Sequence, residues 1–194
     1  MHSIIKISIF LSFLFGMELE IGSSMPKRKL VLNDVDGRSI SLSDIKGKEG
    51  TLVIFSCNTC PWVLRWEDRY LDIAKRYIPN GVSMIAVNSN VARFQGDDSM
   101  EEMKKHAKKM NYNFIYAQDT DAELASAFGA TKTPHVYLFD KSDKLVYRGS
   151  IDDNARDAKK VEEPFLENAL DALLANKIIK KTTSKALGCS IKFN

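Results

Sequence analysis

Apolar and polar residues follow two different periods along the chain. Continuous apolar runs at Thr51–Phe55 and Val82–Val87 are typical of strands that are buried on both faces of a sheet. Between Val63 and Tyr77, apolar residues instead recur every three or four positions, with charged residues in the gaps. This spacing predicts an amphipathic helix soon after the first of the two strands.

Shorter patterns predict further elements in the first two thirds of the chain. An Asp-Gly pair at 36–37 separates two short alternating runs, which predicts a β-hairpin near the N-terminus. A Ser-x-x-Glu capping box that begins at Ser99 predicts the start of a second helix. Asp121 is expected to cap a short helix that ends at Gly129.

The last third combines two strands and a helix. The apolar runs His135–Phe139 and Leu145–Tyr147 are joined by a tight turn, so they are expected to pair antiparallel. The segment Pro164–Ala175 has the apolar stripe of a helix. Because strands and helices alternate elsewhere, the sequence predicts an α/β fold in three layers. A central mixed sheet lies between two layers of helices, and a β-hairpin precedes it.

Composition adds limits to this picture. The chain has 194 residues, of which 44% are hydrophobic and 27% are charged, as in an ordinary globular protein. The net charge of +3 is too small to predict a nucleic-acid partner. We expect residues 25–176 to form one domain and residues 177–194 to form a basic C-terminal tail that carries Cys189.

The N-terminus has the pattern of a leader. One lysine, Lys6, precedes an apolar run over residues 7–17. This run is shorter than the roughly 20 apolar residues that a transmembrane helix needs, and it fits the apolar region of a secretory signal. We therefore predict a signal peptide over residues 1–24, export to the periplasm or medium, and no stable membrane span. If Met25 is the true start, the protein is cytoplasmic.

The chemistry of the chain is concentrated at Cys57 and Cys60. These residues form a C-x-x-C between the first buried strand and the helix, where Pro61 suits the first helical turn. Two cysteines at this spacing can form a disulfide, and the start of a helix lowers the pKa of a thiol. Cys60 is the better placed of the two for that effect. Zinc sites also use C-x-x-C, but they need a second ligand pair at short spacing.

No such ligand pair follows in the sequence, so neither a metal nor another cofactor is predicted. The third cysteine, Cys189, lies between Gly188 and Ser190, which suits an exposed, mobile turn. A flexible tail brings Cys189 to Cys60 as a resolving thiol in one interpretation. In the other, Cys189 is a free surface cysteine.

Three further residues that bear on the chemistry lie near the last strands. Pro134 opens an apolar strand, a position that suits proline. His135 follows it and is expected to face away from the proline as a structural histidine. Arg148 is interpreted as a solvated arginine of the hairpin.

Together, the strand before the cysteines, Pro61, the Thr133-Pro134 step and the hairpin over 141–149 resemble the thioredoxin-like superfamily. Within it, the sequence resembles the redoxin or peroxiredoxin-like branch over about 30–175. An Ile-Asp-Asp-Asn stretch at 151–154 and a Gly-Cys-Ser-Ile-Lys stretch at 188–192 are similar to a group of uncharacterised peroxiredoxin-like proteins.

The resemblance implies a cis Thr133–Pro134 bond beside the active cysteine, with the Thr133 backbone offered to the substrate. It places Cys60 at the position of the nucleophile, with Pro61 and Trp62 at the helix start beside it.

The resemblance implies a thiol–disulfide oxidoreductase with an antioxidant role, in which Cys60 attacks and Cys57 or Cys189 resolves the mixed disulfide. Expected partners are protein dithiols and disulfides or small peroxides, together with a thioredoxin-type reductant. A peroxiredoxin-type peroxidase is one alternative, but the threonine that peroxiredoxins carry three residues before their cysteine is replaced by Cys57. An exported copper-binding protein is another, since thiolates select Cu(I).

Overall fold

The structure is a computed structural model that describes residues 17–193. Its strands are β1 Leu32–Asp34, β2 Ser39–Ile40, β3 Gly50–Ser56, β4 Val82–Asn88, β5 Ile115–Gln118, β6 Lys132–Thr133, β7 His135–Asp140, β8 Leu145–Gly149 and β9 Cys189–Ser190. Its α-helices are α1 Pro61–Tyr77, α2 Met100–Lys109, α3 Glu123–Phe128 and α4 Phe165–Leu174.

Seven strands form one mixed sheet in the order β2-β1-β5-β4-β3-β7-β8. Strands β3, β4 and β5 are parallel, whereas β7 runs antiparallel to β3 and β8 antiparallel to β7. The N-terminal hairpin of β1 and β2 adds to the edge of β5. Every residue of β3 is buried, as its continuous apolar run predicts. The predicted mixed sheet and hairpin are therefore confirmed.

Helices cover both faces of this sheet. On one face, Trp66 and Tyr70 of α1 pack in one core cluster with Leu166 and Leu170 of α4. On the other face, Phe128 of α3 packs edge to face against Phe55 and Tyr137, with ring centroids 5.4 and 5.2 Å apart. The two cores confirm the predicted three-layer α/β/α arrangement.

The Ile-Asp-Asp-Asn stretch holds α1 in place. The buried carboxylate of Asp152 accepts a hydrogen bond of 2.7 Å from Trp66 Nε1. Its second oxygen lies 3.1 Å from Arg69 Nε, and Arg69 also donates to the Asn154 carbonyl oxygen. The stretch that carries the family resemblance therefore fixes the helix that begins at the cysteines.

The cap of α3 differs from the prediction. Asp119, rather than Asp121, accepts hydrogen bonds from the Leu124 and Ala125 amides, at 3.2 and 3.0 Å. Ala122 has a φ of 53°, so the chain turns sharply before the helix and brings the end of β5 beneath the first helical turn. Asp119 lies directly after β5 and is therefore the residue that reaches these amides.

The environment of Arg148 also corrects the sequence analysis. Its side chain is only 21% exposed and forms an ion pair with Glu18. Burial lowers the pKa of the guanidinium from its ordinary value. The interpretation as a solvated arginine was wrong because residues before the domain cover this end of β8.

Part of the predicted leader packs against the domain. The Leu19 amide donates to the Phe128 carbonyl oxygen at 3.0 Å, and the Gly22 amide donates to the Leu145 carbonyl oxygen at 2.8 Å. Residues 1–16, which hold most of the predicted signal peptide, lie outside the described residues. The signal peptide and the domain limits therefore stay predictions. Within residues 17–193, the helices are all too short or too polar to cross a membrane.

Phe128→Ala tests the core beneath α3. Phe128 is fully buried between aromatic side chains of β3 and β7, so its removal leaves a cavity. We expect the free energy of unfolding, measured by urea denaturation, to fall by about 3–5 kcal/mol. Ile178→Ala is the control, because Ile178 is 91% exposed and its loss should cost less than about 0.5 kcal/mol. Equal losses in the two variants would contradict this packing.

Candidate active site

The two cysteines lie in the turn between β3 and α1. β3 ends at Ser56 and α1 begins at Pro61, so Cys60 is the residue that caps the helix. Cys60 has extended backbone angles (φ −72°, ψ 120°), and Pro61 lies where a missing N–H breaks no helical hydrogen bond. The start of the helix therefore directs its free amides toward Cys60, as the sequence predicts.

Thr133 brings the two thiols together. The Cys60 sulfur lies 3.0 Å from the Thr133 carbonyl oxygen, and the Cys57 sulfur lies 3.5 Å from the Thr133 hydroxyl. The pairing of β3 with β7 explains this contact. Phe55 lies opposite His135 in an antiparallel pair, so the residues that follow Phe55 lie beside the residues that precede His135. The Thr133–Pro134 peptide bond is cis, as the family resemblance implies.

Cys189 belongs to the same cluster, but not through a mobile tail. β9 pairs antiparallel with β6, which places Cys189 opposite Thr133. The half-buried Cys189 packs against Cys57, Cys60 and Val63. The expectation of a mobile turn at Cys189 was wrong, because pairing with β6 satisfies the backbone hydrogen bonds of this segment. All three cysteines are free thiols in the structure.

The surroundings of Cys60 favour its thiolate. Hydrogen bonding from the Cys57 thiol is the largest cause, followed by smaller contributions from Cys189, Thr133 and the Val63 amide. These contacts outweigh burial and lower the pKa of Cys60 to about 4. The contact with the Thr133 carbonyl oxygen acts in the opposite direction, because only the protonated thiol can donate to it.

The other two thiols are held in the protonated form. Hydrogen bonding to Cys60 and burial raise the pKa of Cys57, and the nearby charge of Asp98 adds to this effect. Burial and hydrogen bonding to Cys60 raise the pKa of Cys189. The negative charge of the three-sulfur cluster therefore resides on Cys60.

A pocket of about 240 Å³ opens onto these thiols. Its walls include all three cysteines, Pro61 and Thr133, together with the cationic side chains of Arg93 and Lys192. Cys57 and Cys60 themselves are only 2% and 3% exposed. A reagent therefore reaches them through this pocket, and it must be small or must present a narrow segment. Trp62 packs against the cysteine cluster beside the pocket.

A buried carboxylate that the sequence analysis missed supports the cysteine turn. Asp98 is 0% exposed and accepts hydrogen bonds from the Asn58 amide at 2.9 Å, from Asn88 Nδ2 at 3.0 Å and from Asn90 Nδ2 at 2.9 Å. Three donors stabilise its charge in the absence of a salt-bridge partner within the described residues. The polar residues that end buried strand β4 were the available signal for this cluster.

The same network reaches the C-terminal strand. Asn90, held by Asp98, accepts a hydrogen bond of 2.8 Å from the Lys192 amide through its Oδ1. The Ala92 amide donates to the Lys192 carbonyl oxygen at 3.1 Å. Asp98 therefore links the Cys57–Cys60 turn to the segment that carries Cys189, although these segments are far apart in sequence.

His135 has the structural role that the sequence predicts. It is fully buried beside Tyr137, with ring centroids 4.6 Å apart. Burial lowers the pKa of His135 to about 4, so the ring is neutral at pH 7. Among the residues that the structure describes, no group of three or more His, Cys, Asp and Glu side chains is arranged to hold a metal ion.

The chain is similar to several known proteins. The Redoxin family model matches residues 20–170. The chain is 26% identical to the thiol-disulfide oxidoreductase ResA of Bacillus thuringiensis subsp. konkukian over 131 residues, which cover 66% of this chain and 69% of that protein. It is similar to an uncharacterized conserved protein from Geobacillus kaustophilus, with 37% identity, coverage of 90% and 93%, and a TM-score of 0.83. A hypothetical protein from Sinorhizobium meliloti 1021 is 31% identical, with coverage of 92% and 97% and a TM-score of 0.84.

The pH dependence of alkylation tests the charge on Cys60. Because the pKa of Cys60 is lowered to about 4, its thiolate should persist down to acidic pH and disappear only as the pH falls through that value. Peptide mapping after limiting iodoacetamide measures the midpoint. Cys57→Ala removes the main hydrogen bond and should raise the midpoint toward the ordinary cysteine value of about 8.5. Cys189→Ala should raise it less, and a wild-type midpoint near the ordinary value would contradict the assignment.

Asp98→Asn tests the buried network. The amide presents a donor where the carboxylate accepts, so at least one buried N–H group loses its partner. We expect the free energy of unfolding to fall by about 1–3 kcal/mol. Asp97→Asn is the matched control, because the neighbouring Asp97 side chain is 71% exposed and its change should cost less than about 0.5 kcal/mol. A loss no larger than that of the control would refute the network's role.

Proposed function

The chain belongs to the redoxin family and is a thiol–disulfide oxidoreductase, and we propose that Cys60 is its nucleophile. The observation that carries this assignment is the position of Cys60, which caps α1 and contacts both other thiols and Thr133. At pH 7, Cys60 is the ionised sulfur of the cluster, whereas Cys57 and Cys189 are protonated. A thiolate, rather than a thiol, attacks a disulfide.

The proposed reaction proceeds in two exchanges. The Cys60 thiolate attacks one sulfur of a substrate disulfide, a bond forms between the two sulfurs, and the other substrate sulfur leaves as a thiolate. A second protein thiol then loses its proton and attacks Cys60, which releases the remaining substrate sulfur. The substrate disulfide is reduced to two thiols, and the protein gains one disulfide.

Both Cys57 and Cys189 contact Cys60 and are proposed as resolving thiols. Each is protonated before the first exchange. Hydrogen bonding to Cys60 and burial raise the pKa of Cys57, and burial raises the pKa of Cys189 together with hydrogen bonding to Cys60. Once Cys60 is in a mixed disulfide it is no longer an anion, so this cause of the raised pKa disappears. The resolving thiol thus becomes easier to ionise when its attack is required.

The reset of the protein disulfide requires an external dithiol. We propose a thioredoxin-type reductant, because the pocket over the thiols opens at the surface and admits a narrow segment of such a protein. Substrates are protein or small disulfides. Export is proposed from the leader pattern of residues 1–24. Peroxidase activity and copper binding stay predictions of the sequence, and no contact of the described residues favours either over disulfide exchange.

Serine variants of the three cysteines test these roles. Cys60→Ser should reduce disulfide turnover, measured by insulin reduction with dithiothreitol, to the uncatalysed rate, because a serine hydroxyl is not ionised at neutral pH. With a small substrate such as glutathione disulfide, Cys57→Ser and Cys189→Ser should each retain turnover, because the remaining thiol still lies beside Cys60. The variant that lacks both should accumulate a mixed disulfide on Cys60, which mass spectrometry detects. Full activity in Cys60→Ser would show that the nucleophile is wrongly assigned.

A further inference from the structure

β6 forms a separate two-stranded sheet with β9 beside the nucleophile. Lys132 pairs with Ser190 and Thr133 with Cys189. The Ile191 amide donates to the Thr131 carbonyl oxygen at 3.0 Å. Because the Thr133 carbonyl oxygen lies 3.0 Å from the Cys60 sulfur, whatever pairs with β6 is held directly against Cys60. In this structure that occupant is the protein's own C-terminal segment.

The fit of this occupant depends on a glycine. A Cβ atom on Gly188 would overlap the Thr133 carbonyl oxygen and would lie 2.7 Å from the Thr133 carbonyl carbon. Both are backbone atoms next to the cis peptide bond, so they cannot turn aside as a flexible side chain does. A segment that pairs with β6 in the same register therefore needs glycine directly before the residue opposite Thr133.

The occupant is anchored at a few points only. Ile191 is 5% exposed and packs into the core on the α3 face. Lys192 is held through Asn90 and Ala92. Residues Lys185 and Leu187, before the strand, are exposed. Two-residue strands with one buried anchor belong to the least stable parts of a fold, so local release of this segment costs far less than unfolding of the domain.

The family resemblance already implies that the Thr133 backbone binds substrate. We infer that β9 occupies this edge of β6 as an intramolecular substrate mimic, and that the extended substrate segment with which it competes contains Gly-Cys. Pairing of an extended peptide with an open strand edge gives affinity through main-chain hydrogen bonds, and the tight fit at one side chain gives specificity. The substrate's cysteine would lie where Cys189 lies, in contact with Cys60. This inference rests on the proposed role of Cys60 as the nucleophile.

Occupation of the β6 edge by β9 separates substrates into two classes. Small disulfides enter the pocket with β9 in place, so Cys189 is beside Cys60 and resolves the mixed disulfide. A peptide or protein segment must first displace β9, which carries Cys189 away. Cys57, held in the turn by the contacts of Asn58 with Asp98, then resolves it. In both cases the substrate gains two electrons and the protein ends with one disulfide that includes Cys60.

Gly188→Val in the full-length protein tests the inference, with Leu187→Val as the matched control at an exposed neighbour. The two substrates are glutathione disulfide and the disulfide-linked dimer of a peptide with the sequence of residues 186–193. Gly188→Val should raise kcat/KM for the peptide disulfide relative to glutathione disulfide by about tenfold, because the binding edge is no longer occupied. Leu187→Val should leave the ratio unchanged. The same peptide with valine in place of its glycine should lose its advantage.

An unchanged ratio in Gly188→Val would overturn the inference if hydrogen exchange shows that the Ile191 amide has lost its protection. If the glycine variant does not fold, Ile191→Ser releases the same segment at its buried anchor and carries the same expectations. Binding of a fluorescent peptide that carries serine in place of cysteine does not depend on redox chemistry. This measurement therefore distinguishes a failure of the inference from a failure of the proposed function. Tighter binding of this peptide to Gly188→Val than to wild type supports the inference even without turnover. Equal binding or none contradicts it.

Discussion

The contact between the Cys60 sulfur and the Thr133 carbonyl oxygen, 3.0 Å apart, joins the parts of the molecule on which its chemistry depends. Cys60 caps α1, and Thr133 ends β6 directly before Pro134 and β7. The antiparallel pairing of β3 with β7 sets this distance, because it aligns Phe55 with His135 and places the turn that follows β3 beside the Thr133–Pro134 step that precedes β7. The central sheet thus serves as the rigid support that holds a thiol, a carbonyl and a hydroxyl in one place.

Electrostatics then distinguish three chemically identical side chains. Cys60 receives hydrogen bonds at a helix start, Cys57 lies near the buried charge of Asp98, and Cys189 is partly buried on an added strand. Because the thiols contact one another, ionisation of one opposes ionisation of the others. Asp98 therefore has two effects, since its hydrogen bonds fix the turn and its charge makes a smaller addition to the raised pKa of Cys57, after hydrogen bonding to Cys60 and burial. The arrangement directs the single charge to the sulfur at the helix start.

The sequence predicted the elements whose patterns are local. The apolar run of β3, the helical spacing after Pro61 and the cysteine pair together were enough to predict the fold and the position of the cysteine pair at the start of α1. Contacts between distant segments were not predictable in this way. The ion pair of Glu18 with Arg148, the bonds of Asp98 to three asparagines and the pairing of Cys189 with Thr133 all join residues from separate elements. Asp119 was missed as a helix cap because the backbone conformation of Ala122 has no clear signature in the sequence.

Disulfide mapping of the full-length protein after one equivalent of a two-electron oxidant tests the central claim most directly. If Cys60 is the thiolate on which the other two thiols converge, every intramolecular disulfide found by mass spectrometry of non-reduced peptides should contain Cys60. Its partner should be Cys57 or Cys189. A predominant bond between Cys57 and Cys189, with Cys60 left free, would contradict the account.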